Sequence, residues 1–364
     1  EYEVLATYKG DPATIDDCVV TVNITEGGTG VLTAEYTNGK LIIHPANVGK
    51  VIITLEVTDD KGHDGKLITQ EIDVQQTENN ITYDNITYRL KDNIDPNDFC
   101  GTMEEKTFEK ADGETITIDD VTKLTSIKIV SCDPTKTTIG DDFIIDCTAL
   151  TNLELTGLEY VDTIGANFVK GCTVLQSFDL TPLANVQTIG NYFVNGCTAL
   201  ETIDLSGWTK LQSLNANFCN GCTALQTVNL TNCSTLQTID TTFLTDSDNV
   251  KTITLDGLSS LNTLPNSFLK DRTALETINI SGWSSMTDMP SYFLQGCTSL
   301  TSIGDFTGCD NITFIGDSFL QGCTSLVTLT SVDNLTNLRY ISKKQHGEVP
   351  NAKFCYGCTS LDPL

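Results

Sequence analysis

The sequence is poor in basic residues, in histidine and in long apolar runs, and each shortage removes a class of function. Twenty-one Lys and Arg stand against 48 Asp and Glu in 364 residues, a formal net charge of −27. A field of that sign repels nucleic acid and anionic lipid, so polyanionic partners are disfavoured. It suits solubility, with a cationic or calcium-dependent partner as the alternative. Three His are present, His44, His63 and His346, in unrelated settings. No nucleophile elbow, Gly-rich phosphate loop or metal-ligand motif accompanies them, so neither enzymatic activity nor a cofactor is expected. No run of 18 apolar residues occurs, so no membrane-spanning helix is expected. The first residues, Glu1-Tyr2-Glu3-Val4-Leu5, already read as a strand and not as a signal peptide, and a chain that starts after a cleaved one would read the same.

What the chain does have is a repeat. Phe stands at 143, 168, 193, 218, 243, 268 and 293, a spacing of 25, and returns at Phe319 and Phe354. Four residues after each Phe comes Cys147, Cys172, Cys197, Cys222, Ser247, Arg272, Cys297, Cys323 or Cys358. Three further on comes Leu150, Leu175, Leu200, Leu225, Val250, Leu275, Leu300, Leu326 or Leu361. Self-similarity at such a period is the signature of a solenoid, in which stacked coils bury one continuous core.

The register also decides how the fourteen Cys read. Seven fill the slot after the Phe, and Cys219 and Cys355 alternate with Val and Leu. Cys233 and Cys309 share a slot with Leu158, Leu183, Trp208, Leu258 and Trp283. Cys that trades places with Val, Leu and Trp behaves as a small buried hydrophobe. Neighbouring slots lie about 5 Å apart, but identical rotamers disfavour the disulfide dihedral. A ladder of free thiols is therefore expected, with disulfides as the alternative. The two Trp are expected in core or edge slots, with sugar-stacking platforms as the alternative. Arg272, in a Cys slot, is expected to bend outward and pair with Asp246 or Asp248.

Residues 1–77 have a different texture. Cys18-Val19-Val20-Thr21-Val22-Asn23-Ile24 alternates as a strand, and runs from Val31 and Lys40 flank Asn38-Gly39, a strong hairpin signal. Runs over 51–58 and 67–74 flank an acidic turn in which Asp59, Asp60 and Asp64 are candidate calcium ligands or a solvated loop. Short strands with such turns predict a β-sandwich. Residues 78–113 lack a period and read as linker and N-terminal cap, with one strand expected from Ile81 to Leu90. Residues 114–364 carry the array. The chain is thus expected to be mainly β: a sandwich, then a solenoid of 25-residue coils with a continuous parallel ladder.

Two resemblances add to this reading. Asn47-Val48-Gly49-Lys50-Val51 through Asp59 resembles the last half of bacterial immunoglobulin-like and cadherin-like domains. Ile189-Gly190-Asn191-Tyr192-Phe193 with Cys197 and Leu200, followed by Ile203 and Leu205, resembles the BspA-like leucine-rich repeats of bacterial surface proteins. This chain uses a longer coil than many such repeats, rich in Thr and Asp. The resemblance implies an exported protein at the cell surface, its leader and anchor removed, that binds a protein ligand such as host matrix or another surface protein. A single-copy state, no nucleic acid and no membrane insertion go with that reading; a structural stalk or a glycan-binding module are the alternatives.

In L-x-x-I-x-L the residues flanking the Ile point outward. The candidate ligand face is therefore Glu154, Asp179, Thr202, Asp204, Thr227, Asn229, Thr252, Thr277 and Asn279. Like charges directly opposed in a ladder are mildly destabilising, so an acidic row invites a functional reading. An insertion near the C-terminus supplies a candidate contact loop with Lys343, Lys344 and His346; a cover for the last coil is the alternative.

Overall fold

The computed structural model describes residues 78–329, 332–341 and 354–361, together with the backbone of strands between 2 and 74. The chain divides into two compact units, residues 1–77 and 78–364.

In the first unit Cys18–Thr25 pairs antiparallel with Gly49–Asp59, which pairs in turn with Asp64–Val74. Leu32–Thr37 pairs with Lys40–Pro45, closing at Thr37↔Lys40 around Asn38-Gly39 as expected of that dipeptide. The strands form a three-stranded sheet from each of these groups and a separate two-stranded ribbon. The side chains of Asp59, Asp60 and Asp64, of His44 and His63, and of Cys18 lie outside the described residues, as do Lys343, Lys344 and His346.

The second unit opens with two hairpins. Residues 81–90, expected as one strand, instead turn back on themselves: Asn80–Tyr83 pairs with Ile86–Arg89, because Asp84 and Asn85 adopt φ of 50° and 62°. Short polar side chains tolerate that left-handed conformation. Lys106–Glu109 pairs with Thr115–Ile118. Asn79, within the stretch expected as linker, is fully buried. Its amide donates to the carbonyls of Lys91 and Ser131 and its oxygen accepts from the backbone of Val130 and Ser131. One side chain thus ties the hairpin to the first coil. The strand Asn80–Tyr83 covers the open edge of Leu124–Lys128, the first repeat strand, in antiparallel register. Exposed sheet edges invite association, and this one is paired.

The coils then stack, one full turn of the repeat above the next. The nine Phe form a column, with successive ring centroids 4.7–6.0 Å apart. Phe99 and Phe108 extend it into the first hairpins. The Ile and Leu of L-x-x-I-x-L line the same core and are buried from Leu124 to Leu326. Two rows of short parallel strands flank this core. The front row contains Asn152–Glu154, Thr202–Asp204, Thr227–Asn229, Thr252–Thr254, Thr277–Asn279 and Ser302–Ile303. The rear row runs from Thr138–Ile139 to Tyr340–Ile341.

Neither row is continuous, contrary to the expectation of an unbroken ladder. The front row is missing a strand at 177–179, where half-buried Phe178 replaces the fully enclosed Ile and Pro182 follows within a short 3-10 turn, Thr181–Leu183. Proline lacks the N–H that a ladder needs. The rear row is missing one at 263–264, immediately before Pro265.

Glycine is forced at two kinds of position. At Gly190 a Cβ would lie 2.3 Å from the backbone nitrogen of Ala166, so two coils approach too closely for any side chain. At Gly207, φ is 81° but nothing stands within 4 Å. Gly190→Ala should therefore destabilise by about 1–3 kcal/mol through overpacking. Gly207→Ala should cost only about 1 kcal/mol, from its left-handed backbone. Chemical denaturation of the two variants checks the ranking; equal midpoints would contradict it.

Candidate functional site

The interior slots come first, because they decide which residues remain free for a partner. All thirteen described cysteines are free, so the thiol-ladder reading holds among the described residues. Packing is only part of their role. Cys197 and Cys222 each point their thiol at a carbonyl of the preceding coil, that of Val169 and Val194, at 3.0 Å. Cys297 and Cys323 do the same toward Leu269 and Leu294, at 3.2 and 3.1 Å. Ser247 keeps the contact with a hydroxyl, 2.6 Å from the carbonyl of Cys219. The neighbouring column repeats the device: Trp208 Nε1 donates to Leu180, Cys233 Sγ to Leu205 and Trp283 Nε1 to Leu255, at 3.2, 3.1 and 2.7 Å. Cys, Ser and Trp therefore share a property beyond size: each carries a donor to the second lone pair of a turn carbonyl across the dry interior. The sequence reading as plain hydrophobes missed it, although the exchange with Ser247 was a signal. Both Trp are fully buried, which removes the sugar-platform reading.

Arg272 leaves the core as expected. Its Nη1 lies 2.7 Å from the Asp248 carboxylate, while its Nε is buried without a partner.

On the front, the structure gathers seven of the nine candidate residues into one five-stranded sheet. Thr202, Thr227, Thr252, Thr277 and Ser302 stand opposite one another in a row. Asp204, Asn229, Thr254 and Asn279 form the second row. Glu154 lies in a separate sheet with the N-terminal hairpin and pairs with Lys128 at 3.1 Å. Asp179 lies in the interrupted coil between the two sheets.

The acidic row has an internal task. Asp179 accepts from the backbone N–H and hydroxyl of Thr181, at 2.9 and 3.0 Å. Asp204 accepts from the N–H of Ser206 at 2.8 Å, and Asn229 from the N–H and hydroxyl of Thr231 at 3.1 and 2.6 Å. Asp305 repeats the bond with Thr307 at 2.9 Å. These are Asx turns, in which a short side chain replaces a backbone acceptor to turn the chain after a strand. The motif Asp/Asn-x-Ser/Thr was legible and its structural meaning was missed. The Thr row differs: its one lateral bond is between the hydroxyls of Thr277 and Thr252, 3.2 Å apart, and its members are exposed or half-buried. No group of three or more metal-ligating side chains converges among the described residues, and no helix there is long and apolar enough to cross a membrane.

A repeat scaffold with outward rows agrees with the family comparison. The BspA type leucine rich repeat region matches in six copies over residues 119–251 and 212–344, more than half of the chain. The chain belongs to that family. A leucine-rich repeat protein from Bacteroides ovatus is similar over 80% of this chain and 81% of its own, at 18% identity and a TM-score of 0.25. No curated protein matches the chain.

Burial sets the reactivity of the thiols. It pushes Cys132, Cys233 and Cys297 up to about 12, because a thiolate there would lose its hydration. An unfolded thiol ionises near 8.5. The folded form is therefore favoured in full below about pH 8.5, and that contribution is lost as pH climbs toward about 12. At about pH 8 the buried cysteines, Cys197 and Cys222 among them, should resist iodoacetamide in the native chain and label once denatured. Rapid native labelling of Cys197 or Cys222 would contradict the buried ladder.

Proposed function

We infer that this chain is a cell-surface scaffold that binds a protein ligand through the front sheet from Thr202 to Ile303. Residues 1–77 are read as an immunoglobulin-like β-sandwich that acts as a spacer, and residues 78–113 as the solenoid's N-terminal cap. The family's association with bacterial surfaces supports the location. The observation that carries the binding reading is the row Thr202, Thr227, Thr252, Thr277 and Ser302, five hydroxyl side chains in strict register on one sheet. Rows of β-branched residues suit a strand, and their hydroxyls can donate and accept toward a partner's backbone. The partner is a protein such as host matrix or another surface protein, and a row repeated over five strands fits a broad contact better than an enclosed small molecule.

A structural stalk is the second reading. It is favoured by the Asx turns, which show that Asp179, Asp204 and Asn229 are retained for the fold whether or not anything binds.

The test is immobilisation of host-matrix proteins and of a glycan array, probed with the purified chain. Thr227→Arg and Thr252→Arg on the front should reduce protein binding at least about tenfold, the loss of one well-placed contact region. Thr163→Arg on the rear should leave it unchanged. Charge reversal at Asp204 is the wrong probe, since it also breaks a turn. Binding to glycans alone, equal loss from front and rear variants, or no binding to any surface would each overturn the reading, the last in favour of the stalk.

A further inference from the structure

The coils are not evenly stacked. From Phe143 to Phe218 the ring centroids are 5.0, 4.7 and 5.0 Å apart. From Phe218 to Phe293 they are 5.9, 6.0 and 5.9 Å apart, and the next step closes again to 5.2 Å. The front strands cannot widen with them, because paired strands keep about 4.8 Å between chains. Thr202–Asp204 through Ser302–Ile303 remain paired across this same segment. At two of these steps the Phe-bearing turns stay bonded, Cys219 N–H to Phe243 O at 3.1 Å and Leu269 N–H to Phe293 O at 3.0 Å, so the wider ring spacing there is an offset of the rings. Among the described residues no such bond joins the turn at 242–246 to that at 266–270, and there the coils part toward the rear.

The rear sequence explains why. In the tight coils the residue after the rear strand is Gly140, Gly165 or Gly190, and it is Gly again at 316. The N–H groups of Gly165, Gly190 and Gly316 donate to Ile139, Ile164 and Met289 of the preceding coil, at 2.9, 2.8 and 3.0 Å. A Cβ at Gly165, Gly190 or Gly316 would come within 2.4 Å of the coil beside it. In the four coils between these glycines that column holds Asn215, Asp240, Pro265 and Pro290. Asn215 answers Ile189 with its side-chain amide, and Asp240 keeps its backbone bond to Leu214. Pro265 and Pro290 have no N–H to offer, so the carbonyls of Ile239 and Leu264 lose the bond that this column supplies elsewhere. The rear ladder has a first break between Thr188–Ile189 and Ser213–Leu214, and after Thr238–Ile239 it resumes only at Asp288–Met289. A groove of about 460 Å³ opens there between Asn215, Thr238, Asp240, Thr263 and Pro265. The two departures from the Cys column, Ser247 and Arg272, fall in the same coils.

We propose that the rear of the solenoid between the coils of Phe243 and Phe268 opens as a local unit in the native protein, hinged on the intact front sheet. Opening there changes the curvature of the Thr row without breaking its register, so the face can adapt to a partner. The opening rests on the fold alone, and its failure is distinct from a failure of front-face binding.

Hydrogen exchange of the full chain followed by mass spectrometry is the test. Amides in 238–250 and 263–276 should exchange roughly tenfold faster than those in 163–175 and 188–200, while 227–230 and 252–255 on the front stay protected. The double variant Pro265→Gly/Pro290→Gly restores the two donors and should slow exchange in 238–250 and 263–276. Pro265→Gly alone serves if the double variant does not fold. Uniform protection from Phe143 to Phe319, faster exchange on the front than the rear, or a folded Pro265→Gly variant with unchanged exchange would overturn the proposal.

Discussion

The structure depends on one constraint: whatever one coil turns toward the interior must be met by the coil stacked on it. Apolar side chains meet this by repeating, so that Phe lies on Phe and Leu on Leu. Turn carbonyls meet it through a donor carried by the next coil, a thiol, a hydroxyl or an indole N–H. Each such bond adds only about 0.5–1.5 kcal/mol, but it recurs along the array and fixes axial register as well as depth. The columns hold even where a coil is longer: Cys323 reaches the carbonyl of Leu294 at 3.1 Å across a 26-residue coil, whose extra residue is absorbed between Ile303 and Phe306.

That constraint separates the residues the fold consumes from those it leaves over. The Cys, Trp and Phe columns are used inside. Asp179, Asp204, Asn229 and Asp305 are used in turns. What remains outward, unspent and in register is the Thr row. The residues that stand out most in the sequence, many cysteines and many carboxylates, are therefore mainly architectural, and the plain ones are the candidates for contact.

Much of the array was legible because columns can be compared across nine copies. The buried Trp, the free thiols and the outward turn of Arg272 toward Asp248 all follow from asking what a slot holds elsewhere. The interruptions were harder, because they arise from single departures whose effect depends on the neighbouring coil. Phe178 and Pro182 break the front row, and Pro265 the rear. Asn79 was hidden for another reason: it has no copy, and its four bonds join backbone groups far apart in sequence. For the candidate face, strand positions could be read, but which side chains the turns would claim required the geometry.

The register claim can be tested by removing a coil. Deletion of residues 194–218 takes out one complete repeat and joins Phe193 to Cys219, so every column is preserved. Deletion of 195–218, one residue fewer, leaves one residue too many at the junction and misaligns the two coils that meet there. Thermal unfolding followed by circular dichroism should show a cooperative transition for the whole-coil deletion, slightly below that of the intact chain, and a strongly lowered or absent one for the shorter deletion. Equal transitions for the two would contradict the account.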